Sequence, residues 1–500
     1  MAAMLLRLAP EMNAEQPMIV PQYNRRPLPL LPAALLGVAV VAIGSQPPSV
    51  IGQAISSTHF VSPADFGFRI SDGEVRPGDG RCVTTRDEQD REVVARVHAD
   101  VGDSRIVLLP DGTLVARTKE ESPPTDRPFT PFEVDQLAER LTSGDSAPFN
   151  GFRVRTSTRY VFVYNTSEEF AQVASRVLES MFRGVVLSAR AAGIEVHQPP
   201  TPLVVVMFGD EAELQRLRRM PAGMAAYYHT VENRVYLFEK PTKSDLDPEL
   251  WVREKLSTIA HEGAHQVLCN IGVQQRLSVW PAWLAEGLAE YFAPTSTDKR
   301  LNWKGAGEVN NFRLAELEEF LKARDASAAD GALVEQTVTA ARLNSAGYAS
   351  AWALVHLLAE TRRDQFNRLL ADASQMAPLE GPGREFGRGV VPDNLRLLRE
   401  HVLDEPAELE RRLILHLKRL PYRDPYADWP HYVALVSYGN ARSPNRVASA
   451  FRTSSAAERW RDQQLAGLSA ADRRSAEAAV QTFANRLTAE RFVQSWLRRR

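Results

Sequence analysis

Residues 258–266 read TIAHEGAHQ, and residues 281–292 read PAWLAEGLAEYF. The first stretch holds His261-Glu262-Gly263-Ala264-His265, an HExxH pattern, within a segment from Pro248 to Asn270 that reads as one helix. Residues four apart on a helix share a face, so the His261 and His265 imidazoles can converge on one metal ion. Glu262 projects beside them, where a carboxylate can take a proton from water held by that metal. A catalytic zinc ion takes three protein ligands and keeps one position open. In the second stretch Pro281 opens a helix, and Glu286 supplies the third ligand candidate 21 positions after His265. Glu290 follows one turn later on the same face. It can accept the other ring N–H of a ligand histidine and fix its tautomer.

Upstream, element types alternate. Thr158–Asn165 (TRYVFVYN) and Thr201–Asp210 (TPLVVVMFGD) read as strands, and Ser167–Gly193 as a long amphipathic helix ending at glycine. A second helix starts at Glu211–Leu217, and Ala225–Lys240 reads as a further strand or hairpin. From Pro281 to about residue 420 the periodic segments are helical. The fold class is therefore α+β: a mixed sheet carrying the HExxH helix over residues 151–280, then a helical subdomain over 281–420. Before it, Arg91–Val97, Arg105–Leu109 and Thr113–Arg117 alternate as short strands, with an Asp111-Gly112 hairpin signal between the last two. This predicts a small β-barrel-like module over residues 56–118. Residues 119–150 read as a linker, with Lys119–Pro128 polar and Pro-rich, and a short helix opened by a capping box at Thr130–Glu133. Residues 421–500 read as a helical extension, chiefly Ser454–Trp496.

The N-terminal 55 residues have a different character. Arg25-Arg26 precedes an apolar run, Leu28–Gly44, whose uninterrupted part from Ala33 to Ile43 is short for a spanning helix, and Gly52-Gln53-Ala54 offers a small-x-small cleavage site. The expectation is a signal peptide or membrane anchor and an exported protein, periplasmic, extracellular or held at the membrane. Composition narrows the partners. The 500 residues carry 60 Lys+Arg against 62 Asp+Glu, a net charge of -2, which argues against a nucleic-acid binder. Cys82 and Cys269 are the two cysteines, too few for a disulfide framework or a Cys-rich zinc finger.

The pair TIAHEGAHQ and PAWLAEGLAEYF resembles the gluzincin metallopeptidases, whose third zinc ligand is a glutamate on a downstream helix. Closer still is a largely uncharacterised family of bacterial proteins classed as zinc peptidases. That family joins HExxHQ and WLxEGxA to a Y-x-x-x-W-A-L-V-x-x-L helix, here Tyr348–Leu358 (YASAWALVHLL). The resemblance spans about residues 150–420. It implies one zinc held by His261, His265 and Glu286, Glu262 as general base, and a peptide or protein substrate. The G-x-M-E-N signature that reads a free amino terminus in the related aminopeptidases is absent; the comparable region is Ala225–His229. The run from Ala95 to Thr118 is similar to small SH3-like barrels.

Other residues enter as candidates. The Tyr348 phenol can donate to the oxyanion of a tetrahedral intermediate. Tyr228 and His229 are alternatives for that role, and His356 reads as a core or supporting histidine. Cys269, four beyond His265, would close the metal site and make it structural if it were a ligand. Arg234–Phe238 is a candidate edge strand for binding an extended peptide. The competing reading is a catalytically inactive zincin-like scaffold whose β module captures a partner.

Overall fold

A computed structural model describes residues 75–498 apart from 146, 218–224, 242–247, 297–301, 324–329, 380–393, 403 and 441–442. The apolar segment Leu28–Gly44, read above as signal peptide or anchor, lies outside the described residues. No helix among the described residues is long and apolar enough to cross a membrane.

The alternating segments after residue 75 form a five-stranded antiparallel sheet: β1 (Val75–Pro77), β2 (Cys82–Arg86), β3 (Glu92–Val101), β4 (Ser104–Leu108) and β5 (Leu114–Thr118). It is an open sheet, not the expected closed barrel. Gly112 has φ 92°, the left-handed conformation that the turn between β4 and β5 requires and that glycine adopts without strain. Instead of standing apart, the sheet shares a core with the rest of the chain: Ala99, Ile106, Leu108 and Leu114 pack with Leu277 and Leu379. The Arg276 guanidinium ties the two parts by donating to the carbonyls of Gly112, Thr230 and Val231. Part of the expected linker also joins the sheet, as Thr84 N–H donates to Pro123 O and Thr125 N–H to Cys82 O.

Helix α1 (Val134–Thr142) starts one turn later than the capping box expected at Thr130. Phe132 N–H is held by Pro110 O, which keeps residues 131–132 extended, so Glu133 becomes the N-cap and Gln136 Oε1 accepts its N–H at 3.0 Å.

The second sheet contains β6 (Arg153–Thr156), β7 (Tyr160–Tyr164), β8 (Leu203–Asp210), β9 (Ala226–His229) and β10 (Arg234–Lys240) in the order β6-β7-β8-β10-β9. Strands β7, β8 and β10 are parallel and fully apolar at their centres, as strands covered on both faces must be. Val161, Val163, Val204, Val206 and Phe208 face Leu137 and Leu141 of α1. On the opposite face, Tyr160 meets Phe182 of α2 (Glu168–Ala191), the β7-to-β8 crossover. Short α3 (Glu211–Leu217) follows β8. The order corrects one expectation: Arg234–Phe238 lies inside the sheet, between β8 and β9, and the edge strands are β6 and β9. The ends of β9 and β10 are joined through Asn233 at φ 57°, a turn conformation asparagine tolerates.

Helix α4 (Pro248–Asn270) carries the HExxH pattern against this sheet. Its Gly263 allows α2 to come close, since a Cβ there would lie 2.1 Å from Leu178 Cδ2 and 2.8 Å from Met181 Cε. Helix α5 (Ala282–Phe292) carries Glu286 and Glu290. The two-residue pair β11 (Thr295–Ser296) and β12 (Asn302–Trp303) leads to α6 (Asn311–Ala323), α7 (Ala332–Thr339), α8 (Ser345–Thr361), α9 (Arg363–Ser374), α10 (Arg396–His401) and α11 (Pro406–Leu417). Helix α8 is buried along almost its whole length and packs on α5 at Gly287, where an added Cβ would lie 2.6 Å from Ala351 O.

The last eighty residues differ from the helical extension expected. Strands β13 (His431–Asn440), β14 (Ser443–Phe451) and β15 (Glu477–Phe483) form an antiparallel sheet in the order β14-β13-β15. Helices α12 (Ser454–Ala466), α13 (Ala470–Ser475) and α14 (Arg486–Leu497) accompany it. The Ala-rich composition of β14 and β15 favours helix locally, but pairing with β13 and packing of Phe483 against Phe492 and Trp496 override that preference. This module docks on α4, where the Tyr426 hydroxyl donates to Glu254 Oε1 at 2.5 Å.

Two predictions follow from the packing. Replacing glycine by alanine inside a helix normally adds up to about 1 kcal/mol. In Gly287→Ala the added methyl meets backbone, so urea unfolding should instead show a net loss of about 1–3 kcal/mol from overpacking. Burial raises the Glu254 carboxyl to about 7, so the folded chain keeps a proton that the unfolded chain has lost. Stability from this group is present below the unfolded value and is lost as pH rises toward 7. Glu254→Gln should flatten that decline, by roughly 3 kcal/mol between pH 4.5 and 7, in denaturant titrations run across the range.

Candidate metal centre

The centre is built by two pairs of residues, each four apart, on two packed helices. His261 and His265 come from α4, Glu286 and Glu290 from α5. His261 Nε2 lies 3.1 Å from Glu286 Oε2 and 3.1 Å from His265 Nε2, and His265 Nε2 lies 3.3 Å from Glu286 Oε2. All three residues are buried, and their ligand atoms form a group able to hold a metal ion. Two imidazole nitrogens and a carboxylate oxygen converge on one point, each offering a lone pair when deprotonated. The donor set itself fits a divalent metal.

The outer contacts fix these ligands. His261 Nδ1 lies 3.0 Å from Glu290 Oε1. Glu290 is held in turn by Arg313 Nη2 at 2.6 Å and by Asn310 Nδ2 at 2.8 Å. Burial alone would raise the Glu290 carboxyl, but Arg313 and His261 outweigh it and hold it near 2. Burial would likewise lower His261, yet the Glu290 and Glu286 carboxylates lift it to about 10. Glu286 stays far below the ordinary carboxylate range, because His265 and His261 overcome the cost of its burial. Three carboxylates, Glu262, Glu286 and Glu290, are thus gathered in a buried space that Arg313 offsets only in part, which is a well for a cation.

Glu262 is 1% exposed, and its Oε2 accepts the backbone N–H of Tyr228 at 2.8 Å. Edge strand β9 therefore sits directly beside the candidate base. Tyr348, at the first turns of α8, faces the same centre, with its ring centroid 6.1 Å from that of His261. The Arg313 guanidinium carbon lies 5.3 Å from the Tyr348 ring centroid. Burial and the surrounding carboxylates raise the Tyr348 phenol well above its ordinary value, so it stays a hydrogen-bond donor.

Other sequence candidates are placed elsewhere. The Tyr228 hydroxyl donates to Asn233 Oδ1, and His229 Nδ1 accepts the Glu232 N–H in the hairpin turn. His356 contacts His416 and the Gly307 carbonyl on the far part of α8. Cys269 is outside the metal group, and burial pushes its thiol up to about 12. Eight residues of helix carry it about 12 Å along the axis from His261, too far to share an ion.

Several supporting residues were not singled out by the sequence. Gln266 donates to Val204 O and Asn233 O, locking α4 to the sheet one residue after His265. Asn270 and Asn233 exchange hydrogen bonds through their amides. Asn233 was approachable as a turn residue, and Gln266 as the last letter of the extended motif. Asn310 and Arg313 reach the site only because α6 packs on α8 and α5.

Residues 255–380, which contain every member of the centre, match a family described as "Protein of unknown function (DUF1570)". None of the curated proteins matches the chain.

The outer contacts generate a prediction. Glu286→Ala should abolish stoichiometric metal uptake, and Glu290→Gln should weaken it roughly 10–100-fold, read by chelator competition on purified protein. Equal affinity in wild type and Glu290→Gln would remove Glu290 from the site.

Proposed function

We propose that the protein is an exported zinc-dependent metallohydrolase of the gluzincin type, cleaving peptide bonds. The observation that carries this reading is the buried His261, His265 and Glu286 triangle flanked by Glu262 and Tyr348. Its edges, 3.1, 3.1 and 3.3 Å, are close to the ~3.3 Å separation between ligands of a tetrahedral zinc at ~2.0–2.1 Å. Three protein ligands without Cys269 are the number found in catalytic sites, where one position stays open. The matched family has no stated activity, so the reading rests on this geometry and on the likeness to gluzincins.

Zinc held there would supply an acidified water and a Lewis-acidic contact for a carbonyl oxygen. The chain's own residues do the rest. Glu262 accepts the proton on its carboxylate and returns it to the leaving amine. The Tyr228 N–H orients that carboxylate. The Tyr348 hydroxyl donates to the charge that develops on the carbonyl oxygen, in a site dry enough to strengthen the bond. Export is proposed from the Arg25-Arg26 flank and the Leu28–Gly44 apolar run, with attachment to the membrane if that segment is retained.

Glu262→Gln should keep one zinc per chain while peptide hydrolysis falls at least about 100-fold. Tyr348→Phe should also keep zinc, with kcat reduced roughly 100–1000-fold. A wild-type protein that takes up no zinc, or one whose Glu262→Gln variant turns over normally, would sink the peptidase reading and favour a binding or scaffold role.

A further inference from the structure

We propose that β15 is the contact strand of a homodimer: its open edge pairs antiparallel with β15 of a second copy, joining two three-stranded sheets into one of six. The inference does not depend on the peptidase reading. Strand β15 is an outer strand of the C-terminal sheet and pairs with β13 on one side only. Glu477, Ala478, Ala479, Gln481 and Thr482 are exposed, and Val480 and Phe483 are half-buried. Successive residues point to opposite faces, so both faces of the strand meet water along its outer side. The backbone N–H and C=O groups that alternate away from β13 have no backbone partner among the described residues.

An edge of this kind is a template for another strand unless it is guarded. Other edges in the molecule are guarded. Strand β14 carries Pro444 and Arg446, β6 carries Arg153 and Arg155, and β9 is buried. Strand β15 has none of these devices. It registers with β13 from Glu477 to Phe483 without a bulge, and it contains no proline, lysine or arginine. It is also held in place from within, since the Phe483 ring centroid lies 4.7 Å from that of Phe492 on α14, so pairing orders little new chain. The occupant that fits is the strand itself. Antiparallel about Val480, it meets its twin along its full length: Val480 opposite Val480, Ala479 opposite Gln481, Ala478 opposite Thr482 and Glu477 opposite Phe483. Its one charge therefore never faces its own copy, where like charges would repel. Such a contact is two-fold and self-closing, so assembly stops at two chains.

The test is sedimentation of the full chain in non-ionic detergent, so that the Leu28–Gly44 run does not associate by itself. Wild type should be dimeric at about 10 µM. Ala479→Lys with Gln481→Lys sets lysine opposite lysine at exposed positions and should weaken the dimer at least about 100-fold, as should glutamate at both positions. An equimolar mixture of the lysine and glutamate variants should dimerise again. Wild type that stays monomeric at about 100 µM overturns the proposal and leaves the edge to a strand of another protein. So does a dimer that survives in both charged variants, or a mixture no more associated than its parts. If a charged variant fails to fold, Ala479→Cys and Gln481→Cys decide. Mixed and mildly oxidised, they should form a covalent dimer, because directly opposite residues come within disulfide reach; neither should do so alone, because diagonal neighbours lie about 7–8 Å apart. A mixture that cross-links no better than the separate variants overturns the proposal.

Discussion

The rest of the structure depends on keeping a cluster of ionisable side chains buried without stranding any of them. His261, His265, Glu262, Glu286 and Glu290 are each at most 2% exposed. Charged groups so far from water persist only when paired or bound to metal. The cluster therefore demands two helices, α4 and α5, whose polar faces meet at hydrogen-bond distance, and a surround that places a specific partner on each outer atom. Glycines make the close approach possible. Gly263 lets α2 close over the back of α4, and Gly287 lets α8 close over α5. Gly263, after Glu262, and Gly287, after Glu286, are thus packing devices as well as motif letters.

From that cluster the constraints pass outward in layers. Glu290 orients His261 and is held by Arg313 of α6 and by Asn310 just before that helix. Arg313 also lies over Tyr348 of α8, so one guanidinium faces both the carboxylate behind a ligand and the phenol beside the centre. On the other side, Gln266, Asn270 and Asn233 bind α4 to β8 and β10 through amide hydrogen bonds that leave little freedom of register. The C-terminal module adds an outer brace through Tyr426 on Glu254, and through Arg486, which pairs with Glu318 of α6 and with Asp424. Helix α6 thus lies between this module and the metal centre.

Much of this was legible from residue spacing. The four-residue periods of His261/His265 and Glu286/Glu290 require only that each segment be helical. The long strands and α2 announced themselves by apolar runs, by Ser167 at the start and by Gly193 at the end. What could not be read were contacts between distant segments. Arg313 and Lys255 look like ordinary charged helix residues until the fold buries them. The same gap explains the misplaced edge strand, since Arg234–Phe238 and Ala226–His229 are equally strand-like and only sheet order separates edge from interior. It also explains the C-terminal sheet, where Ala-rich segments take the conformation their neighbours pair with.

By itself, then, the sequence determined the α+β class, the helices that carry the donor atoms, and which side chains those donors are, because helical periodicity is a local property set by nearest neighbours. Only the tertiary structure decided that Glu286 meets both histidines, that Glu290 backs His261, that Cys269 stays away, that β9 and not β10 is the outer strand, and that the β module is part of the same core. Each of these is a distance between residues far apart in the chain. Such distances are fixed by packing, glycine clearance and the pairing of buried polar groups, none of which a linear pattern contains.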